Sequence, residues 1–216
     1  MAKQKTGIKV IIVGAGFGGL TAAIESHRQG HDVEIYESFP ELKSLGDIIS
    51  FGSNAGRIFY RWKAGEVADR LAAASINLTE YGFRIHKWDT GEVVFHQKTP
   101  PPPKDSPRFN GHRGELHQIV FNHAKDELGI PIHLGQQVEE YFEDEEKAGI
   151  VLKSGERVSG HLPLSYASAI FADGGLLQVT GDVVVGSDGV RSKARELVLG
   201  YFDRPKSSGH AVWRAW

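Results

Sequence analysis

Six residues near the start of the chain, Gly14-Ala15-Gly16-Phe17-Gly18-Gly19, carry the spacing of a phosphate cradle. Glycines at 14, 16 and 19 match G-x-G-x-x-G, a weak signal alone and an informative one between a strand and a helix. Residues 10–13 form an apolar run that reads as a buried parallel strand. Helical spacing of Leu20, Ala23 and Ile24 follows, with Gly30 as the stop, and Val33 and Ile35 belong to a second strand that reaches Glu37. In that βαβ setting Gly14 permits the tight turn, Gly16 lets a pyrophosphate approach the backbone, and Gly19 lets helix and strand pack closely. Backbone N–H groups and the helix dipole favour the phosphates. A carboxylate at Glu37 accepts hydrogen bonds from a ribose 2′-hydroxyl and repels a 2′-phosphate, so the site selects an unphosphorylated ribose.

The rest of the chain supplies elements to hold these groups. Residues 46–51 read as a glycine-bounded loop and short strand, and 54–62 and 65–74 as helices. Residues 83–88 and 92–96 flank Asp89-Thr90-Gly91 as a hairpin. Pro100 to Pro103 form a stiff extended loop. A helix is expected over 113–128, a third parallel strand over 132–134, antiparallel strands over 138–142 and 149–152, and a buried strand over 182–185 followed by a helix over 190–198.

Three further segments, with the glycine turn, resemble the FAD-dependent monooxygenases of the aromatic hydroxylase class, relatives of salicylate hydroxylase and para-hydroxybenzoate hydroxylase. Asn110-Gly111-His112-Arg113-Gly114-Glu115-Leu116 is similar to the family's helix start whose arginine contacts FAD, which implies that role for Arg113. Gly186-Ser187-Asp188-Gly189-Val190-Arg191-Ser192, ending in Arg195, resembles its DG motif, which implies that Asp188 and Gly189 bind FAD and help a nicotinamide cofactor to dock. Gly52-Ser53-Asn54-Ala55-Gly56-Arg57 resembles a segment near the flavin, with Ser53 in place of the usual proline. The resemblance implies an α/β, Rossmann-like FAD-binding domain with a parallel sheet, a β-meander crossover and part of a substrate-binding sheet. It places FAD on Gly14, Ala15, Gly16, Phe17, Gly18, Gly19, Glu37, Arg113, Asp188 and Gly189, with NADPH or NADH as co-substrate and O₂-dependent hydroxylation of a small aromatic or phenolic compound. Catalytic residues are not assigned. The domain covers 1–216 incompletely, with 76–110 contributing to the substrate-side sheet. The family's later GD motif and most of its substrate sheet are absent, so the chain alone is expected to bind FAD weakly and not to hydroxylate.

Relatives pass directly from the meander to the DG strand. Here Ser154-Gly155-Glu156-Arg157 continues at Val179-Thr180-Gly181-Asp182 after 21 additional residues, 158–178. Val158-Ser159 and Gln178 can be encoded by the consensus start and end of an intron. An in-frame retained intron and a genuine family-specific loop are both open readings. The apolar residues of the segment follow neither strand nor helix period, which predicts an irregular, exposed excursion.

Composition narrows the alternatives. The chain has 216 residues, a net charge of −2 and no cysteine. A polyanionic partner such as nucleic acid is not expected, and disulfides and cysteine metal sites are excluded. No histidine has metal-ligand company at a suitable spacing. The apolar run at the N-terminus is too short to span a membrane, and absence of cysteine fits a reducing, cytoplasmic location. The competing functions are a flavoprotein oxidase or reductase of the same fold, a non-catalytic FAD-binding fragment and a plain NAD dehydrogenase. The DG segment argues against the last.

Overall fold

The computed structural model describes residues 4–42, 46–76, 82–143, 145, 147–153, 171–172, 176–204 and 206–209. Along the chain, β1 (Lys9–Val13), α1 (Phe17–Arg28), β2 (Asp32–Tyr36) and β3 (Ile48–Phe51) lead to α2 (Ser53–Tyr60), a 3-10 turn (Trp62–Gly65) and α3 (Glu66–Ala73). Next come β4 (Phe83–His86), β5 (Val93–Gln97), β6 (Phe109–His112), α4 (Arg113–Asn122) and a π-helical turn (His123–Glu127). Then follow β7 (Ile132–His133), β8 (Val138–Glu143), β9 (Ala148–Lys153), β10 (Phe171–Ala172), β11 (Leu176–Gly181) and β12 (Val183–Gly186). A 3-10 turn (Gly189–Arg191) and α5 (Ala194–Leu199) complete the described elements. Contacts divide the chain into two compact units, 1–40 with 132–216, and 41–131.

The first unit is built on a parallel sheet of order β12-β1-β2-β7. Residues 10–13 of β1 are all buried, as a strand covered on both faces requires. Ile12 points at α1, where a side chain on Gly19 would meet its Cγ2 at 3.2 Å. Ile11 and Val13 alternate to the other face and pack with Tyr36 against Ile150, Leu152 and Val179 of the antiparallel meander β10-β11-β9-β8. Each such aliphatic side chain contributes about 1.5–3 kcal/mol on burial. The result is the α/β, Rossmann-like architecture expected from sequence, with α1 and the meander on opposite faces of the sheet.

Two expectations change here. Residues 182–185 read as a buried strand, yet β12 pairs only with β1 among the described residues, and Val183 is 45% exposed. An apolar run reports that a strand can be covered on both faces, not that it is. For 158–178, Phe171–Ala172 and Leu176–Gln178 are strand rather than irregular chain. β11 runs through Gln178 and Val179 without a break and pairs with β9 from Leu176↔Lys153 to Gly181↔Ala148. Main-chain pairing along an open edge tolerates many side chains. Residues 154–170 and 173–175 lie outside the described residues.

In the second unit α2, α3 and α4 surround Phe59, Trp62, Leu71, Phe109 and Leu116, all buried. The helix expected over 113–128 ends at Asn122 and continues as the π-helical turn. There His123, buried, stacks on Trp62 at 5.7 Å and its Nδ1 lies 3.2 Å from Glu127. The hairpin β4–β5 forms where expected, with every residue of both strands exposed.

One polar group interrupts the apolar middle of the first unit. Glu34 accepts a 2.8 Å hydrogen bond from the Tyr36 hydroxyl and lies 3.3 Å from the Lys9 ammonium and 3.5 Å from His133 Nε2. His133 above all, with Tyr36 and Lys9, outweighs burial and holds the Glu34 carboxyl at about 2. A depressed carboxyl contributes stability above its ordinary pKa and loses it as the pH falls through the folded value. The urea midpoint should therefore fall between pH 4.5 and about 2, and Glu34→Gln should make that fall shallower. At neutral pH the same substitution should cost about 1–2 kcal/mol by stranding its partners.

Candidate nucleotide site

Three strand ends converge at the glycine turn. Gly14 N donates to the Tyr36 carbonyl at 2.8 Å, and Ser187 N donates to the Val13 carbonyl at 2.8 Å. Gly14 takes φ +99°, and a Cβ on it would overlap the Ser187 carbonyl. Gly14 is thus required twice, by backbone conformation and by close approach. Gly19 is required by packing, since its Cβ would overlap the Gly14 carbonyl. Above Gly18 sits the Ser187 hydroxyl, 3.7 Å from where a Cβ would lie.

Gly16 differs from both. It is the N-cap of α1 with φ −71° and ψ 176°, which any residue adopts, and a Cβ on it would meet nothing within 4 Å. No side chain caps α1 at this position, and no acidic residue occupies its first turn. The protein itself does not demand a glycine at 16. Open space over an uncapped 12-residue helix start is what a pyrophosphate needs, so the residues present fit a dinucleotide.

Glu37 follows β2, its N–H donating to the His133 carbonyl at 2.9 Å. Its Oε2 accepts from Ala15 N at 2.7 Å, and its Oε1 accepts from Phe39 N at 2.9 Å and the Ser38 hydroxyl at 3.0 Å. The carboxylate is therefore clamped beside the glycine turn. Each carboxylate oxygen has about two acceptor sites, so Oε2 retains one beyond its bond to Ala15 N. Sequence reasoning located Glu37 but missed its bond to Ala15, which no spacing rule reveals.

Asp188 and Gly189 complete this group. Gly189 takes φ +83°. Asp188 Oδ2 accepts from Lys193 N at 2.8 Å and Ala194 N at 3.4 Å, which turns the carboxylate toward the start of α5. Gly186 is required because its Cβ would overlap the Cβ of Ala194. Arg195 pairs with Asp203 at 3.1 Å.

Gly14 to Gly19, Glu37, Asp188 and Gly189 thus lie together in the first unit, and Arg113 belongs to the second. Arg113 is the first residue of α4, capped by His112 Nδ1 accepting from Glu115 N at 3.3 Å. Its own N–H donates to the Asp47 carbonyl at 2.8 Å, and a Cβ on Gly46 would lie 2.8 Å from its Cβ. Its side chain is exposed, and no described carboxylate pairs with its guanidinium. Arg57 is exposed on α2, whose first residue is Ser53. A cleft of about 820 Å³ lies elsewhere, lined by residues of β8 and of segment 190–203 and by none of the glycine turn. Its Arg191, Lys193 and Arg195 stand among Glu139, Glu140, Glu196 and Asp203, so it offers no concentrated positive charge for a phosphate. Among the described residues no cluster of metal-ligating side chains occurs, and no helix is long and apolar enough to cross a membrane.

Comparison with known proteins agrees with this geometry. Residues 12–42 match the NAD(P)-binding Rossmann-like domain. The chain is 38% identical to asperlicin C monooxygenase of Petromyces alliaceus, over 99% of its own length and 40% of the relative's. It is 33% identical to the FAD-dependent monooxygenase nodY2 of Hypoxylon pulicicidum, over 98% and 43%. Among solved structures, CtdE in complex with FAD and substrate 4 superposes with a TM-score of 0.74 at 33% identity, over 94% of this chain and 42% of that one. FqzB superposes with a TM-score of 0.71 at 30% identity, over 94% and 40%. The chain spans about two-fifths of the length of the relatives it matches.

The glycines should separate experimentally by cause. Without nucleotide, Gly14→Ala should destabilise by about 2–4 kcal/mol, from positive φ and overlap with Ser187. Gly16→Ala should cost less than about 1 kcal/mol, the difference between glycine and alanine at an N-cap. Urea titration of the two variants measures this, and equal losses would contradict the assignment.

Proposed function

We propose that the chain is the FAD-binding part of a NADH- or NADPH- and O₂-dependent monooxygenase that hydroxylates a small aromatic or phenolic compound. The observation that carries the reading is Gly16, a glycine that the fold does not need, over open space at the start of α1. The names of the relatives support FAD and monooxygenation, and one relative is named for asperlicin C. In this reading the Gly14–Gly19 turn receives the pyrophosphate, and Glu37 accepts the adenosine ribose hydroxyl on the acceptor site left at Oε2. The Ser187–Gly189 turn closes the strand ends beside it, and Arg113, which no described carboxylate pairs with, would offer its cation to the cofactor. When bound, FAD would carry electrons from the nicotinamide to O₂ and supply the oxygenating chemistry, while protein groups bind and orient it. A cytoplasmic location belongs to the same proposal, supported by the absence of cysteine.

For the 216 residues alone, a flavin-binding but uncoupled protein is the expected behaviour. Hydroxylation needs a site closed to water, and the residues present match about two-fifths of each relative. Incorporation of labelled oxygen from O₂ into an aromatic product by the whole protein tests the activity and separates it from an oxidase or reductase.

Two substitutions test the cofactor assignment. Glu37→Ala should weaken FAD binding by about 1–3 kcal/mol, as for a lost hydrogen bond to a charged group. Gly16→Val should abolish flavin uptake while leaving the circular dichroism of the fold intact. Flavin fluorescence titration reads both, and a Gly16→Val protein that purifies fully yellow would remove the phosphate cradle from this turn.

A further inference from the structure

Asp188 has one committed oxygen and one idle one. Oδ2 takes the amides of Lys193 and Ala194, whereas Oδ1 is buried without a hydrogen-bond partner. The Tyr141 hydroxyl, on β8 of the meander, is also buried and without a partner. The two atoms share one small space beside Gly186, where a Cβ would lie 3.7 Å from Oδ1 and 3.9 Å from the Tyr141 oxygen. An orphan donor and an orphan acceptor so placed relieve each other's desolvation by a small side-chain rotation.

We propose that Tyr141 is a positioning residue for the 187–189 turn: its hydroxyl donates to Asp188 Oδ1 and locks the carboxylate into the protein. Asp188 then serves the nucleotide site by fixing the turn's backbone and not by touching the cofactor. That consequence rests on the FAD reading, whereas the Tyr141–Asp188 pair does not. The turn matters because Ser187, next to Asp188, presents the carbonyl that abuts Gly14.

The electrostatics agree. Burial pushes the Asp188 carboxyl up, but the nearby Ser192 and Tyr141 hydroxyls and the amides of Lys193 and Ala194 outweigh it and hold the group below its ordinary value. Burial and the Asp188 charge push the Tyr141 phenol up. Neighbouring cations are directed elsewhere, Lys193 Nζ to the Glu139 carbonyl at 2.9 Å and carboxylate at 3.8 Å, and Arg195 to Asp203. Tyr141 is thus the side chain from the meander that reaches this carboxylate.

A double-mutant cycle tests the pair, with Tyr141→Phe, Asp188→Asn and both together. In the flavin-free chain, Tyr141→Phe should lower the urea midpoint, and should lower it little once Asp188→Asn is present. The loss should also shrink as the pH falls from the ordinary Asp value of 3.8 through the lower value of the folded protein, where Asp188 takes a proton. With FAD as probe, Tyr141→Phe should weaken binding about five- to tenfold, again only when Asp188 is intact. Equal losses in both backgrounds, or a pH-independent loss, would reduce Tyr141 to a space filler and overturn the proposal. A loss of FAD affinity on Asp188→Asn about a hundredfold beyond that of Tyr141→Phe would indicate direct contact and overturn the positional role. Should Asp188→Asn not fold, the pH series of the wild type and Tyr141→Phe decides alone. If no variant and no wild-type chain takes FAD, the FAD reading fails, and the flavin-free cycle still judges the pair.

Discussion

The Ser187 carbonyl fills the space that a side chain on residue 14 would need. β1 and β12 are parallel and in register to Val13↔Gly186, which delivers Ser187 to the end of β1 as its chain turns away. The turn must then be left-handed at Gly14, and α1 follows with Gly16 as its N-cap. Gly19 in turn is held against the Gly14 carbonyl, and Gly186 against Ala194. Four glycines therefore gather where strand ends and two helix starts meet, three of them crowded and Gly16 open. Three of the four have a reason inside the protein. The fourth, Gly16, has none, and a residue without a folding reason amid others that have one is where a ligand is to be sought.

How much of this was legible beforehand depended on range. The βαβ unit, the meander strands and the β4–β5 hairpin rest on local signals. In the hairpin these are turn bonds such as Gly91 N to the Lys87 carbonyl at 3.0 Å and a Lys87–Glu92 ion pair at 2.6 Å. The hairpin forms with no buried face because its instructions are local. The roles of Gly14 and Gly19 were legible too, since the motif encodes a turn and a packing distance. What sequence concealed was non-local. Nothing in the spacing of Tyr141 and Asp188, 47 residues apart, predicts adjacent orphan atoms. At the π-helical turn after Asn122, His123 meets both Trp62 and Glu127, contacts that no helix periodicity displays. Half-exposure of β12 was equally hidden, because residue type reports what a strand tolerates.

Carboxylates do for the loops of the first unit what apolar packing does for its sheet. Asp182 accepts from Lys9 N at 2.7 Å and ties the β11–β12 crossover to the start of β1. Asp188 accepts from Lys193 and Ala194 and ties the following turn to α5. Glu37 accepts from Ala15 and Phe39 and ties the end of β2 to the glycine turn. Charge-assisted bonds to backbone amides are among the stronger ones available at a surface. Their accounts differ in one respect. Asp182 and Asp188 bind amides that bracket strands and helices. Glu37 binds the amide inside the cradle, one residue before Gly16, and Oε2 still has an acceptor site open. In the proposed nucleotide reading, this carboxylate both shapes the turn and meets the ribose, and a phosphate there would face a negative charge already held in place by two amides and a hydroxyl.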